Sequence, residues 1–186
     1  MRIIAISGSL RRISSNTTQL RAVGVLAPAG VEVTLYEGLA DLPAFNPDLE
    51  GAEPSSLLAF RAQLKEADGA FISSPEYAHG VPGSLKNALD WIVGSGELVD
   101  KPVAILNASP MATYAQASLR ETITVMSARV ITEASLTIPI QGRHLDEKGI
   151  TADPQLSRLV SRAIKELITA IETSSPGAHD FVESTE

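Results

Sequence analysis

The chain has 186 residues, 44% of them hydrophobic and 20% charged, the balance of one ordinary globular domain. Its 15 Lys and Arg against 22 Asp and Glu give a formal net charge of −7, a surface that repels phosphate backbones and argues against nucleic acid as the main partner. Cysteine is absent, which excludes disulfides, thiolate metal clusters, Cys nucleophiles and dithiol chemistry, so any redox role must use a bound cofactor.

In chain order, short apolar runs alternate with longer stretches of helical period, the pattern of an α/β domain with a doubly wound parallel sheet. Arg2–Ser7 is the first strand, and it is too short to be a signal peptide core or a membrane span. No later segment reaches about 18 apolar residues, so the expectation is a cytoplasmic protein without membrane attachment. A helix follows from near Asn16 to the Pro28-Ala29-Gly30 stop. Val31–Tyr36 alternates apolar and polar residues, as a strand nearer an edge does. Ser55–Ala67 has helical spacing, and Gly69–Ser74 is a near-continuous apolar strand. Pro82 can open a helix that runs to about Val93 and ends at Gly94-Ser95-Gly96. Pro102–Asn107 is a fourth strand, Ala115–Met126 a helix, and the region around Ala134–Ile140 the fifth strand candidate. Pro154–Thr173 closes the series as an amphipathic helix with Asp153 as its cap. Residues 1–174 are expected to form the domain and residues 175–186 a mobile tail.

Doubly wound sheets bind ligands beyond the carboxyl ends of their strands, where strand order reverses. That rule singles out three loops. The first, Ser7–Thr17, passes from strand to helix, so free backbone amides and a positive helix end converge there. Ser9, Ser14, Ser15, Asn16 and Thr17 add neutral donors, and Arg11 and Arg12 add fixed positive charge. This chemistry suits a phosphate monoester. It is neither a Walker loop nor a dinucleotide Gly-x-Gly-x-x-Gly turn. Ser, Thr and Asn are also ordinary at helix starts, so the loop by itself leaves a phosphate site and a capped polar turn both open.

The second loop, Ser73 to Pro82, is stiffened by proline and glycine and could present backbone amides and Tyr77 to the edge of a flat ring. Trp91, beyond it, reads as packing or a subunit contact. Lys86 and Asp90 read as a surface pair. The third loop, Asn107 to Gln116, is polar but not distinctive. His79, His144 and His179 have no zinc spacing and no triad pattern, and no Gly-x-Ser-x-Gly elbow occurs, so neither a metal site nor a serine hydrolase is expected.

Gly8-Ser9-Leu10-Arg11-x-x-Ser14-x-Asn16, with Pro75-Glu76-Tyr77 and Pro82-Gly83-x-Leu85-Lys86-Asn87-Ala88-x-Asp90-Trp91, resembles the NADPH-dependent FMN reductase family, which includes quinone, azo-dye and chromate reductases. The resemblance covers the chain up to its last helix. It implies a flavodoxin-like five-stranded parallel sheet in the order 2-1-3-4-5. It implies that Ser9, Arg11, Ser14, Ser15, Asn16 and Thr17 hold the FMN phosphate, that Pro75, Glu76, Tyr77 and Ala78 line the ring edge, and that Ser109 closes the pyrimidine side. Hydride would pass from NADPH or NADH through FMN to a small acceptor such as a quinone, free flavin or azo compound, with no side chain needed as a catalytic acid or base. The implied assembly is a homodimer or homotetramer. A flavodoxin-like electron carrier without nicotinamide turnover is the competing reading. Two departures stand out: Ala78 occupies a position commonly Asn, and Met111-Ala112-Thr113-Tyr114 replaces a glycine-rich stretch, bringing side chains where backbone would approach a ring.

Overall fold

The computed structural model describes residues 1–49 and 51–174; the tail expected beyond residue 174 lies outside the described residues. Five parallel strands, β1 (Arg2–Ser7), β2 (Glu32–Tyr36), β3 (Gly69–Ser73), β4 (Pro102–Leu106) and β5 (Arg129–Val130), form one sheet in the order β2-β1-β3-β4-β5. The chain leaves β1 for β2 on one side and returns to β3 on the other, with Ile3 opposite both Val33 and Gly69. Strand order therefore reverses between β1 and β3.

Alternate residues of each strand feed two cores. Ile4, Ile6, Ile72, Val103 and Ile105 pack beneath α2 (Ser55–Glu66), α3 (Gly83–Ile92) and α4 (Thr113–Val125). Ile3, Ala5, Phe71, Ala104 and Leu106 pack beneath α1 (Ser15–Leu26), α5 (Glu147–Ala152) and α6 (Pro154–Glu172). Cover on both faces is why β1, β3 and β4 are near-continuous apolar runs. β2, covered less, keeps the alternation seen in its sequence. No helix among the described residues is long and apolar enough to cross a membrane.

Most helix boundaries follow the local signals. Asp153 caps α6, its carboxylate accepting from the Gln155 and Leu156 amides, with Pro154 at the first turn. Trp91 is buried, its indole donating to the Pro43 carbonyl at 2.8 Å and its ring meeting Phe45 edge-on. Lys86 and Asp90 form the i,i+4 ion pair, worth a few tenths of a kcal/mol on this exposed face. Pro82 sits one position outside its helix, which begins at Gly83.

The fifth strand needs correction. It is Arg129–Val130, and the expected Ala134–Ile140 segment joins the sheet only through a bridge from Thr137 to Asn107. Beyond Ile131 the chain turns, with Ser135 Oγ donating to the Ile131 carbonyl and accepting from the Ile105 amide. The segment then runs under the third loop, where the Ile140 and Gln141 amides reach the Ala108 carbonyl. Its apolar residues Ala134, Ile138 and Ile140 are buried, so burial gives it the composition of a strand without the ladder. α5 has no counterpart among the expected elements; six residues leave little room for a helical period to show.

Candidate flavin cleft

A cleft of about 270 Å³ opens beyond the carboxyl ends of β1, β3 and β4, at the strand-order reversal. Its walls come from all three loops. Ser9, Arg11, Ser14, Ser15 and Asn16 form one wall, and Ser74, Pro75, Glu76 and Tyr77 form another. Asn107, Ala108, Ser109, Met111 and Ala112 form the third, with Gln141 added from the segment beneath it.

The first loop owes its path to glycine and to its own hydroxyls. A Cβ at Gly8 would stand 2.9 Å from Leu85 Cδ2 and 3.2 Å from Ser74 Oγ, so a side chain there would press on Leu85 and Ser74 where the loop leaves the sheet. The Gly8 amide continues the ladder to the Ser73 carbonyl at 2.8 Å. Ser7 and Thr17 join their hydroxyls at 2.8 Å, tying the end of β1 to the first turn of α1. Ser14 is the N-cap, accepting from the Thr17 amide. The amides of Ser15 and Asn16, at the first two helical positions, have no intrahelical acceptor and are available to an anion. Arg11 reaches the cleft; Arg12, one residue on, does not line it.

The opposite side is held by one carboxylate. α4 begins after Ala112, a residue with no capping side chain, and Glu76 supplies the missing acceptor from another loop: its Oε2 takes the Ala115 amide at 2.8 Å. This contact lashes the second loop to the third. Asn107 organises the third loop, its Oδ1 accepting from the Ser109 amide at 3.0 Å while Ser109 Oγ accepts from the Met111 amide. Tyr77 and Gly80 exchange both backbone hydrogen bonds around Ala78 (φ +48°) and His79 (φ +59°), a two-residue turn with both central residues left-handed. His79 stacks on Tyr114, ring centres 4.2 Å apart.

Two residues singled out in the sequence stand back from the walls: Thr17, whose hydroxyl is committed to Ser7, and Ala78, at the tip of the turn. Ser74, Asn107, Ala108 and Gln141 join the cleft beyond the residues singled out in the sequence, while Met111 and Ala112 line it from the stretch expected to bring side chains toward a ring. Asn107 was legible as an Asn ending an apolar strand. Gln141 arrives through a tertiary path that no local signal announces.

Among the described residues, Glu76 is the one acidic side chain of the lining, and it faces the start of α4, while Arg11 is the one cation. Hydroxyls, amides and a guanidinium around a helix start are a donor set that suits a phosphate monoester. The model of the family NADPH-dependent FMN reductase matches residues 1–142. The chain belongs to that family. Among members and relatives, the quinone reductase of Escherichia coli (strain K12) is 30% identical over 179 residues, covering 91% of this chain and 90% of its own. An NAD(P)H-dependent FMN reductase of Pseudomonas aeruginosa is 30% identical over 173 residues, covering 90% and 93%. Among solved structures, a flavoenzyme NAD(P)H:(acceptor) oxidoreductase from Paracoccus denitrificans superimposes with a TM-score of 0.77 at 24% identity over 93% of this chain and 98% of that one, a likeness of fold. For an FMN reductase, the residues present fit the cofactor: the donors gather at the α1 end of the cleft, and the opposite walls offer Pro75, Tyr77, Ala108 and Ala112 to a flat ring.

Proposed function

We propose that this chain is an NAD(P)H-dependent FMN oxidoreductase that reduces small acceptors of the quinone or flavin type. The observation that carries the reading is the concentration of phosphate donors, with Arg11 the cation among them, at the strand-order reversal of a protein whose net charge is −7. When bound, FMN supplies two-electron transfer between a nicotinamide and an acceptor, chemistry that the side chains of this cysteine-free chain do not offer. The protein's share is binding and orientation. Ser9, Ser14, Ser15 and Asn16, with the free amides that open α1, would hold the terminal phosphate, Arg11 would neutralise it, and Thr17, tied to Ser7, completes the turn. Pro75, Glu76 and Tyr77 would line the ring edge chiefly through their backbone, with Ala78 behind them at the tip of the turn and the Glu76 carboxylate already committed to α4. Ser109 would stand on the pyrimidine side, its own amide already held by Asn107 Oδ1.

Homo-oligomerisation is part of this proposal. Ile13 (68% exposed) and Met111 (81% exposed) flank the cleft with large apolar side chains that a second subunit would cover. A cytoplasmic location is also part of it, in keeping with cysteine-free redox chemistry that draws on the nicotinamide pool. The test is direct. Purified protein is loaded with FMN, and loss of nicotinamide absorbance is followed with NADPH or NADH and a benzoquinone. FMN-dependent oxidation supports the reading, and a protein that takes up no FMN and oxidises neither nicotinamide contradicts it. Light scattering of the same sample reports the oligomer.

A further inference from the structure

Beneath the first loop lies a chain of polar side chains that the cleft itself does not explain. Gln19 and Ser73 are both fully buried (0% exposed), and Asn16 is nearly so at 7%. Gln19 Nε2 donates to Ser73 Oγ at 2.5 Å, and Ser73 Oγ donates to Asn16 Oδ1 at 2.8 Å. Gln19 Oε1 is left buried without a partner among the described residues, an expense an apolar residue would avoid.

The donor count gives this chain a direction. A serine hydroxyl has one proton. Because Gln19 donates to Ser73, that proton goes to Asn16, and it takes the carbonyl oxygen of the Asn16 amide. The amide nitrogen of Asn16, a residue of the cleft wall, is then the end left for the cleft. Were the chain reversed, with Gln19 accepting, Asn16 would donate to Ser73 and turn a carbonyl oxygen toward the bound anion. We infer that Gln19 and Ser73 are positioning residues that fix the Asn16 side chain as a donor toward the phosphate of FMN; this rests on the phosphate role proposed for the first loop.

The separating probe is riboflavin, which shares the ring system of FMN and lacks the phosphate. Flavin-free protein is titrated with each, following flavin fluorescence. For Ser73→Ala the dissociation constant for FMN is expected to rise about tenfold, from one hydrogen bond to a charged group made unreliable, while that for riboflavin stays within about twofold. Ser73→Thr, which keeps the hydroxyl, is expected to retain FMN binding within about threefold. Gln19→Glu reverses the donor sequence and is expected to weaken FMN selectively. Gln19→Met removes the donor without burying a charge and gives the same split should the acidic variant fail to fold. Unchanged FMN affinity in Ser73→Ala overturns the inference. Equal weakening of both flavins also overturns it, since the network would then only prop up the loop. Wild-type protein that binds neither flavin overturns the reading of the cleft itself, and the inference falls with it.

Discussion

The two sides of the cleft are built on opposite plans. On the α1 side, polar side chains turn inward and are tied to one another and to β3: Ser7 to Thr17, Asn16 to Ser73, Ser73 to Gln19. On the other side the order comes from links between the loops, chiefly the Glu76 carboxylate of the second loop at the head of α4, and large side chains turn outward. The first plan suits a rigid donor set for an anion, since buried polar groups tied to one another hold one geometry. The second leaves a rim whose exposed residues, Tyr77, Met111 and Tyr114, can vary without disturbing the core. On the proposed reading, the first wall would grip the phosphate, and the other would meet the ring and shape what approaches it.

The contrast breaks most sharply at Arg11. Arg11→Ala is expected to weaken FMN binding about tenfold or more, since hydrogen bonds to charged groups contribute about 1.5–3 kcal/mol. Arg12→Ala, one residue away and outside the lining, should stay within about twofold. Isothermal titration of both variants checks it. On the opposite wall, Glu76→Ala removes the cap that α4 borrows. It should lower stability in urea by about 1 kcal/mol and speed amide exchange at Ala115, while moving FMN affinity less than Arg11→Ala does. At the neighbouring turn, Ala78→Gly is expected to raise stability by about 0.5–1 kcal/mol, because a residue with a Cβ is held at φ +48°. Thermal unfolding with and without FMN reports it.

The smallest effect expected lies away from both walls. The Leu156 amide, then the Arg143 guanidinium and the Gln155 amide, hold the Asp153 carboxyl below its usual value of 3.8. A lowered folded pKa means the stabilisation is complete above about pH 4 and is lost as pH falls through the lowered value. Asp153→Asn should therefore melt below wild type near neutrality, with the gap narrowing in acid, and leave FMN affinity untouched.

Much of this was legible in the sequence for a physical reason. β1, β3 and β4 are apolar because helices cover them on both faces, and the first loop shows its donors because they are contiguous. What was hidden depends on tertiary path. Ala134–Ile140 has the apolar content of a strand but bends away after Ile131, and Gln141 reaches the cleft only because that bend passes beneath the third loop. Glu76 gave no sign that it would cap a helix in another unit, 39 residues on. The buried polar chain left one trace: Asn16 and Gln19 share the helical stripe that also buries Leu20 and Val23, an odd place for amides unless something pairs with them.

The most direct measurement of the central claim is the affinity of the wild-type protein for FMN set against its affinity for riboflavin. If hydroxyls, helix amides and Arg11 grip the phosphate, FMN should bind at least about tenfold more tightly, with an advantage that shrinks as salt is raised. Equal affinities, unmoved by salt, would contradict the account.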